Sequence, residues 1–425
     1  MLDIKFIREN ADIVKKAIKD KNLEGTVDID KLLNVDEYLQ KLSKEAEEIR
    51  QKRNELDKKI QVEKDEAKRN ELISQNTELK KKLKSLDDRK APLNDEFSKL
   101  MLWVPNPPAS DVPIGKGEEG NVIHRTEGKK PVFDFTPKTH LEIGEALDII
   151  DVKRGTKIAG FRGYFLKGDG VLLEQAILRY ALDFMVQKGF TPLTVPVLVN
   201  KDTFTGTGYF PWGEDDHYFT QNDQALVGTS EVSITAYHSG ETLKEEDLPI
   251  MYTALSPCFR KEIGAHGKDT QGVFRVHYFN KVEQVVLTVA DEEESRKWHE
   301  KMQKYSEEIL QSLGIHYNVM LMCTGDMGAG QRKKYDNEIW FPGQNKYREI
   351  GSASYFNDFQ SRRLNMRYKT KDGETKYVFT LNNTVLPTPR FFAAILENYQ
   401  QKDGSVVVPE VLRKYVGKDV IKAKA

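Results

Sequence analysis

Apolar residues recur at alternating spacings of four and three along two consecutive stretches near the N-terminus. The first stretch runs from Val35 to Ile60, and the second begins at Leu72. This heptad pattern predicts two helices that each bury one narrow stripe against a partner helix. A polar break at residues 62–70 separates them. Folding the chain back at this break pairs Ile60 with Leu72 and Val35 with Phe97 without a register gap, so the pattern favours an intramolecular antiparallel hairpin.

The segments on either side of this hairpin suggest how the chain is divided. Residues 3–20 carry apolar positions at helical spacing and predict one amphipathic helix. Residues 104–113, VPNPPASDVP, contain four prolines and cannot continue a helix. We therefore predict an N-terminal domain over residues 1–103 with a coiled-coil arm at about 30–100, a proline-rich linker over 104–113, and a C-terminal domain over 114–425.

The C-terminal part has a different pattern, in which helical and β-rich stretches alternate. Helical stretches at residues 172–188 and 293–313 are interspersed with β-rich runs at residues 194–199, 273–289 and 376–381. The β-rich residues on either side of a polar loop around 263–272 predict an antiparallel strand pair. The fold class predicted for this part is therefore α+β, built on an antiparallel sheet.

Charge and cysteine content narrow the classes of protein. The 425 residues include 65 Lys+Arg and 66 Asp+Glu, a net charge of −1. This balance excludes a uniformly basic nucleic-acid coat but permits a local basic patch. The two cysteines, Cys258 and Cys323, are too few for a disulfide framework or a four-cysteine zinc site. The sequence shows no apolar run of signal-peptide or membrane-spanning length. We therefore expect a soluble, reduced, cytoplasmic protein.

Several common catalytic motifs are missing from the sequence. It contains neither a GxxxxGK[ST] P-loop nor a GxGxxG segment that opens a helix after a strand. The eight histidines show no HExxH or similar metal-binding spacing, and no nucleophile elbow is present. The glycine-rich segment at 325–330 is not followed by Lys-Ser/Thr, which favours a plain turn.

Arginines, carboxylates and an aromatic residue are instead concentrated on the strand pair. Alternation along a strand places Arg260 and Glu262 on one face, and Phe279, Lys281 and Glu283 on one face. Such a face is costly to bury empty, whereas a nucleotide and an amino acid would satisfy each group. The residues alone leave two interpretations open: this ligand site, or an exposed sheet face with ion pairs.

The order of the motifs points to a known family. The relevant segments are GFTPLTVPVLV (189–199), GTSEV (228–232), CFRKEIGAHGKDTQGVFRVHYFNKVEQ (258–284), YREIGSASYFNDFQSRR (347–363) and TLNNTVLPTPRFFAAILENYQ (380–400). Together they resemble the seryl-tRNA synthetase family of class II aminoacyl-tRNA synthetases: motif 1, the T-x-E loop, motif 2, and motif 3 with its approach. The helical hairpin resembles that family's tRNA-binding arm, and the resemblance extends to about residue 417.

The resemblance implies a role in ATP binding for a set of residues around motifs 2 and 3. Arg260 would bridge the serine carboxylate and the α-phosphate, since a guanidinium offers paired donors to two oxyanions. Glu262 would accept from the adenine amino group, and Phe279 would stack on the adenine ring. Arg275 would also contact ATP. Arg390 would hold the γ-phosphate, so that Arg260 and Arg390 are the catalytic pair.

The resemblance also implies a serine pocket and a magnesium site. The serine-binding residues would be Thr229, Glu231, Arg260, Glu283, Asn382 and Thr384. A site that hydrogen-bonds a hydroxyl rejects alanine because its buried groups are then unpaired, whereas threonine must be rejected by size. Glu349 and Ser352 would hold Mg²⁺ near the phosphates with oxygen ligands and would also contact ATP. No zinc is expected.

The arm carries a local basic zone. The hairpin register places three cations of the first helix at the height of four lysines of the second: Arg50, Lys52, Arg53, Lys80, Lys81, Lys82 and Lys84. An ordinary solvated helix pair would look similar, since charge runs usually lie on solvated faces. The resemblance implies that this zone binds the long variable arm of tRNA(Ser) by backbone contacts.

The activity implied by the resemblance is serine activation by ATP and transfer of serine to tRNA(Ser) in a homodimer, with Pro196 near the dimer contact. Serylation of selenocysteine tRNA is left open. A non-catalytic paralogue that binds RNA or protein, or a ligase acting on a carrier protein, are the alternatives. The chain departs from the usual family pattern at Pro387 and Pro389, which precede the motif 3 arginine, and at Gly351. We expect these changes to affect kinetics rather than to abolish activity.

Overall fold

The computed structural model describes residues 1–263 and 272–423. Most of the polar loop predicted around 263–272 therefore lies outside the described residues. Internal contacts divide the chain into two units. The helical unit consists of residues 2–19 and 23–105, and the sheet unit consists of residues 1, 20–22 and 106–425.

The helical unit is built from four helices. They are α1 (Ile4–Glu9), α2 (Ala11–Asp20), α3 (Ile29–Val62) and α4 (Glu66–Leu102). The prediction of a single helix over residues 3–20 is wrong, because Asn10 interrupts it. The backbone N–H and the side-chain amide of Asn10 both donate to the Phe6 carbonyl, which ends α1 one residue before α2 begins.

The predicted hairpin of long helices is confirmed. The seam between α3 and α4 buries five apolar side chains at heptad positions: Leu42, Ala46, Ile49, Leu83 and Leu86. The break between the helices is shorter than predicted and spans only residues 63–65. Asp65 accounts for the difference, because its carboxylate accepts from the Lys68 N–H and thereby caps α4 five residues before the predicted end of the break.

A polar layer interrupts the apolar seam. Arg53 Nε donates to Asn76 Oδ1 across the hairpin at 2.8 Å, and Asn76 donates in turn to the Asp57 carboxylate. Arg53 and Asn76 occupy heptad positions where an apolar contact would otherwise continue. Polar pairs within a coiled-coil seam specify register, because every other alignment leaves them unsatisfied.

The sheet unit contains nine helices and 17 strands among its described residues. Its helices are α5 (His140–Ala146), α6 (Val152–Ala159), α7 (Asp169–Gln187), α8 (Lys201–Thr207), α9 (Glu231–Thr235), α10 (Glu292–Ser312), α11 (Phe359–Leu364), α12 (Arg390–Asn398) and α13 (Glu410–Val416). Its strands are β1 (Val122–Glu127), β2 (Ile150–Asp151), β3 (Phe165–Leu166), β4 (Thr191–Leu193), β5 (Leu198–Asn200), β6 (Gln224–Leu226), β7 (Thr242–Lys244), β8 (Ile250–Phe259), β9 (Tyr278–Thr288), β10 (Tyr317–Leu321), β11 (Lys333–Phe341), β12 (Lys346–Asn357), β13 (Arg367–Lys369), β14 (Thr375–Tyr377), β15 (Phe379–Pro387), β16 (Val406–Val407) and β17 (Val420–Ile421).

An eight-stranded sheet forms the centre of this unit. Its strand order is β1-β10-β11-β12-β15-β9-β8-β4, and every neighbouring pair is antiparallel except β4 and β8. The predicted α+β class with an antiparallel sheet is therefore confirmed. The predicted strand pair is β8 and β9, in a register that places Ser256 opposite Lys281 and Ala254 opposite Glu283.

Three predicted β-rich runs are shorter or divided in the structure. Of residues 194–199, only the last two belong to a strand, β5; the run carries Pro196, which has no N–H to donate. Residues 273–277 precede β9 rather than belonging to it. Residues 376–381 are shared between β14 and β15, which lie in different sheets. Periodicity marks β-rich sequence but does not show where the chain leaves a ladder.

Alternation along β9 separates the core from the cavity described below. Val282 and Val286 belong to the large apolar core, which also contains residues of α7, α10 and α12. Gln284 points the same way and donates to the Met302 carbonyl on α10. Lys281 and Glu283, at the alternate positions of β9, line a cavity on the other face. Within the described part of the chain, no helix is both long and apolar enough to cross a membrane.

Candidate active site

A polar cavity of about 300 Å³ opens in the sheet unit. Eleven of the twelve residues predicted for ATP, serine and magnesium line it: Glu231, Arg260, Glu262, Arg275, Phe279, Glu283, Glu349, Ser352, Asn382, Thr384 and Arg390. They come from α9, β9, β12, β15, α12 and the segment between β8 and β9. Antiparallel pairing brings these distant sequence segments to one site. The twelfth residue, Thr229, stands behind Glu283.

Arg260 is held rigidly at the centre of this site. Its backbone N–H donates to the His277 carbonyl, and its own carbonyl pairs with His277 Nδ1 at 2.9 Å. Its Nε donates to the Gly228 carbonyl at 3.2 Å. The guanidinium carbon then lies 5.2 Å from the centre of the Phe279 ring. These contacts fix a planar cation beside an aromatic face.

The strand argument for Arg260 and Glu262 is wrong, although both line the cavity. Strand β8 ends at Phe259, so neither residue lies within a strand. Glu262 has a φ of +56°, in the left-handed region, and reaches the cavity through this turn rather than by alternation. Its carboxylate accepts from Arg275 Nη1 at 2.6 Å.

Glu283 organises one end of the cavity. Its Oε2 accepts from Thr229 Oγ1 at 3.5 Å and from Thr384 Oγ1 at 3.3 Å, and it forms an ion pair with Lys281. Lys281 also donates to Thr384 Oγ1. Glu283 is 1% exposed and Lys281 is 5% exposed, so this pair depends on its hydrogen bonds for compensation. Asn382 adds an amide to the same wall.

Glu231 is a second buried carboxyl at this end. Its Oε2 accepts from the Tyr209 hydroxyl at 2.7 Å, and its Oε1 accepts from Gln360 at 3.0 Å. Burial, followed by the negative charge of Glu283, raises the pKa of Glu231 to about 7. Two carboxyls in a desolvated wall favour a cationic ligand such as an ammonium group.

The other end of the cavity concentrates positive charge around one carboxylate. Arg390 Nη1 donates to the Glu349 carbonyl at 2.9 Å and to Glu349 Oε2 at 3.2 Å. Desolvation opposes ionisation of Glu349, but the charges of Arg390, Lys334 and Arg260 outweigh it and lower the pKa to about 2. These three cations face two carboxyls, Glu349 and Asp336, and leave a positive excess suited to a polyanion such as a triphosphate.

The oxygen set at this end fits magnesium. Glu349 is ionised at neutral pH. Ser352 lines the same wall three residues further along β12, opposite Asp336 in the β11–β12 ladder. Mg²⁺ is commonly held by one or two protein oxygens together with substrate phosphates and water. No group of three His, Cys, Asp or Glu residues suited to a metal occurs among the described residues. A metal here would therefore depend on the phosphates for most of its ligands.

The structure adds cavity residues that the sequence analysis did not identify. The Tyr209 hydroxyl donates to Glu231, and Lys334 lies near Glu349. The centre of the Phe274 ring lies 5.0 Å from the guanidinium carbon of Arg390. Gln331 also lines the wall. The sequence could have identified Lys334 as a cavity residue, because Lys334 and Asp336 lie at alternate positions of a β-rich run. It could not have identified Tyr209, since clusters of aromatic residues usually indicate core.

The departures from the motif pattern have local explanations. A Cβ at Gly351 would lie 3.1 Å from the Cβ of Thr384, so the absent side chain leaves room for threonine on the neighbouring strand. Pro389 is the N-cap of α12, which begins at Arg390. At that position a missing N–H costs no hydrogen bond within the helix. The Thr388 hydroxyl donates to the buried Glu174 carboxylate at 2.9 Å.

The predicted RNA-contacting residues belong to the helical unit. Six of the seven are exposed: Arg50, Lys52, Lys80, Lys81, Lys82 and Lys84. Arg53 is half-buried and donates to Asn76 across the seam, so it is less accessible than the other six. Lys81 pairs with Glu78 at 2.9 Å, and Arg50 lies 4.0 Å from Asp87. Such exposed pairs contribute little and exchange readily for phosphates.

Known proteins of one family match this chain over almost its whole length. The family model of the seryl-tRNA synthetase N-terminal domain matches residues 1–108, and that of the tRNA synthetase class II core domain (G, H, P, S and T) matches residues 215–399. The chain is 44% identical to the serine–tRNA ligase of Deinococcus radiodurans over 418 residues, covering 98% of each. It is 46% identical to that of Caldicellulosiruptor saccharolyticus, covering 99% of this chain and 100% of the relative.

A solved structure gives the same result in three dimensions. The seryl-tRNA synthetase from Pyrococcus horikoshii, crystallised in complex with ATP, superposes with a TM-score of 0.93 at 38% identity. The match covers 100% of both chains. The likeness therefore includes the helical hairpin as well as the sheet unit.

Proposed function

The chain belongs to the seryl-tRNA synthetase family, and on this basis we propose that it activates L-serine with ATP and transfers it to the 3′ end of tRNA(Ser). It is a ligase. The proposal assigns tRNA binding to an N-terminal domain over residues 1–103, places a linker at 104–113, and assigns catalysis to 114–425. One observation carries it: buried carboxyls lie at one end of the cavity, arginines lie at the other, and Arg260 is fixed among them.

In the proposed first step, the serine carboxylate attacks the α-phosphorus of ATP. A bond forms between the carboxylate oxygen and phosphorus, the bond to the β-phosphate oxygen breaks, and pyrophosphate leaves. Arg260 would hold both reacting oxyanions and stabilise charge developing at phosphorus. Arg390 would bind the γ-phosphate, and Arg275 would also contact ATP. Positioning and charge neutralisation supply the catalysis, so the reaction needs no side-chain nucleophile.

The nucleoside part of ATP would occupy the wall formed by Phe279 and Glu262. Phe279 offers a ring face for stacking, and Glu262 offers an acceptor for the adenine amino group. Magnesium would be held by Glu349 and Ser352 together with the phosphates. When bound, the metal would neutralise phosphate charge and favour departure of pyrophosphate.

The proposal places serine at the end of the cavity that contains Glu231 and Glu283, because of the hydrogen-bonding capacity of the residues there. Glu231 and Glu283 would receive the ammonium and the hydroxyl, while Thr229, Asn382 and Thr384 complete the polar wall. Alanine would leave these groups unpaired, which supports strong discrimination against it. In the second step, the terminal ribose hydroxyl of the tRNA attacks the seryl carbonyl and AMP leaves.

The proposed RNA contact is the basic zone of the arm, in which Arg53 lies partly buried at the seam. Exposed Lys80, Lys81, Lys82 and Lys84 lie along one helix, with Arg50 and Lys52 on the other. Contacts from these side chains to phosphates would read the shape of an RNA rather than its bases. The long variable arm of tRNA(Ser) is the proposed ligand, and tRNA(Sec) is a second RNA to include in the assay.

A homodimer is part of the proposal. The segment around Pro196 exposes alternate residues, including Leu198 at 39%. Large apolar side chains are also exposed on and near α6 and α7, namely Ile158 at 74%, Phe161 at 56%, Phe165 at 46% and Leu172 at 44%. Exposed apolar residues in this number support an interface with a second copy.

Serine-dependent ATP–pyrophosphate exchange tests the proposal directly. We expect exchange with L-serine, little with L-threonine and less with L-alanine, each measured alone and as a competitor. Arg260→Lys should reduce exchange severely, because an ammonium cannot bridge two oxyanions. Arg179→Lys, an exposed arginine on α7, is the matched control. A folded wild-type chain that binds tRNA(Ser) without exchange would instead indicate a non-catalytic relative.

A further inference from the structure

The backbone at Glu262 adopts a conformation that glutamate rarely takes. Its φ of +56° lies in the left-handed region, three residues after the end of β8. Side chains are disfavoured there because Cβ approaches the following carbonyl oxygen. Residues in such conformations persist only where neighbouring structure holds them, and they concentrate at functional sites. The contacts that hold Glu262 therefore bear on the function of its side chain.

Asp216 bonds to both residues that flank Glu262. The Lys261 N–H donates to the Asp216 carbonyl oxygen at 3.0 Å. The Ile263 N–H donates to the Asp216 side chain, at Oδ1, also at 3.0 Å. Asp216 ends a short 3-10 turn over residues 214–216 and is half-buried. One residue thus clamps the backbone on both sides of the left-handed position.

The clamped turn sends consecutive side chains in different directions. The Lys261 ammonium lies over the rings of Phe219 and Tyr218, at 5.7 and 5.9 Å from their centres. Glu262 instead lines the cavity and meets Arg275. An ordinary extended conformation at residue 262 would break this arrangement, because it would reorient the Ile263 N–H away from Asp216 Oδ1.

We propose that Asp216 is a positioning residue that fixes Glu262 for recognition of the adenine amino group and thereby sets nucleotide selectivity. The inference rests on the proposed function, which gives Glu262 that role. Asp216 is not one of the residues lining the cavity in the described structure, so it acts through the backbone of residues 261–263. A carboxylate that accepts from the Ile263 N–H holds it more strongly than a neutral acceptor would.

The test compares Asp216→Ala, Asp216→Asn and the control Asp215→Ala in the full-length chain. Asp215 is the exposed neighbour in the same turn. Pyrophosphate exchange gives KM for ATP, KM for serine, and the ratio of kcat/KM for ATP to that for ITP, in which an oxygen replaces the amino group. Asp216→Ala should raise KM for ATP about tenfold and reduce the ATP/ITP ratio about tenfold, with KM for serine within twofold.

Two further variants keep the inference falsifiable. Asparagine keeps an oxygen acceptor for the Ile263 N–H, so Asp216→Asn should recover most of the ATP/ITP ratio. The double variant Asp216→Ala/Glu262→Ala should be no worse for ATP than Glu262→Ala alone, because the clamp acts only through Glu262. Additive effects in this cycle, or an unchanged ATP/ITP ratio in folded Asp216→Ala, would overturn the proposal.

Calorimetric titration with ATP separates this inference from the proposed function. If wild-type protein shows no serine-dependent exchange, the proposed function fails. Weakened ATP binding by Asp216→Ala, rescued in Asp216→Asn, would then still support the clamp. If exchange is normal and ATP affinity is unaffected by Asp216→Ala, the function stands and the clamp is wrong. Thermal melting of each variant identifies losses caused by unfolding.

Discussion

The carboxyl of Glu231 is buried beside Glu283, whose negative charge opposes the ionisation of Glu231. Burial and the charge of Glu283 raise the pKa of Glu231 to about 7, while Glu283 is compensated by Lys281 and two threonine hydroxyls. The same wall therefore holds one carboxyl group that forms an ion pair with Lys281 and another that gains or loses a proton near neutrality. A substrate ammonium entering this site meets a charge that depends on pH.

This relationship predicts the pH dependence of serine activation. A carboxyl with a raised pKa loses its charge as the pH falls through about 7, so attraction for the ammonium should weaken there. We expect kcat/KM for serine to fall about tenfold from its plateau by pH 6, since this ratio reports the free enzyme. Glu231→Gln should remove the step and leave a lower, flatter profile.

Asp336 provides the control for that profile, because burial also raises its pKa to about 7 at the phosphate end of the cavity. Its titration should affect kcat/KM for ATP and not the ratio for serine at saturating ATP. The same step persisting in Glu231→Gln would show that another group governs serine binding.

Glu283→Ala should abolish most serine activation and also destabilise the fold. It removes the acceptor for serine and leaves the Lys281 ammonium buried without its partner, at a cost of about 3–5 kcal/mol of folding free energy. Glu283→Gln keeps the hydrogen-bond acceptor and should lose less stability than alanine. Exchange kinetics at low serine and thermal melting distinguish the two effects. Near-normal exchange at low serine in Glu283→Ala would remove this residue from the pocket.

The arm should serve tRNA recognition and be dispensable for adenylate formation. Deleting residues 35–98 and joining the ends by a short linker should leave pyrophosphate exchange largely intact and severely reduce tRNA serylation. Exchange requires only ATP, serine and cavity residues of the sheet unit. A folded deletion variant without exchange would show that the arm takes part in catalysis. Unchanged serylation would remove its role in RNA binding.

Changing the four arm lysines at 80, 81, 82 and 84 to glutamine tests the proposed interaction with RNA itself. All four are exposed and lie off the seam, so the melting temperature should not change. The salt dependence of tRNA binding should flatten by about 0.7–0.9 log units for each phosphate that a lysine no longer neutralises. The same change at exposed Lys41 and Lys44 should have a smaller effect. Equal effects of both variants would indicate general electrostatic attraction rather than a defined binding zone.

The exposed apolar residues near α6 predict a dimer. Light scattering should give about twice the chain mass of 48.8 kDa. Phe161→Glu should weaken the dimer, because it would place a charge in a desolvated contact. Val132→Glu is a suitable control, since Val132 is 95% exposed and lies outside the proposed interface. A wild-type chain that is active as a monomer would rule out the interface.

The heptad pattern alone determined the helical hairpin, its pairing and its approximate length. A narrow apolar stripe repeated every seven residues can be buried in few ways, and the matching of the two series selected one of them. The heptad pattern predicted the turn of the hairpin less accurately, because the cap at Asp65 extends α4 into the predicted polar break. Heptad spacing also places Arg53 in the seam, but only the tertiary structure shows that it donates to Asn76 across the hairpin.

Motif residues were likewise identified from the sequence, and antiparallel pairing gathered eleven of them around one cavity. Only the tertiary structure decided which charges surround these residues and which contacts hold them in place. The opposite pKa shifts of Glu231 and Glu349 depend on which charges burial places nearby, and those neighbours come from separate segments of the chain. Asp216 and Glu262 lie 46 positions apart in the sequence, so their relation appears only when the turn at 214–216 is folded against the end of β8. Local sequence encodes the period of each element, whereas site chemistry depends on distances between elements.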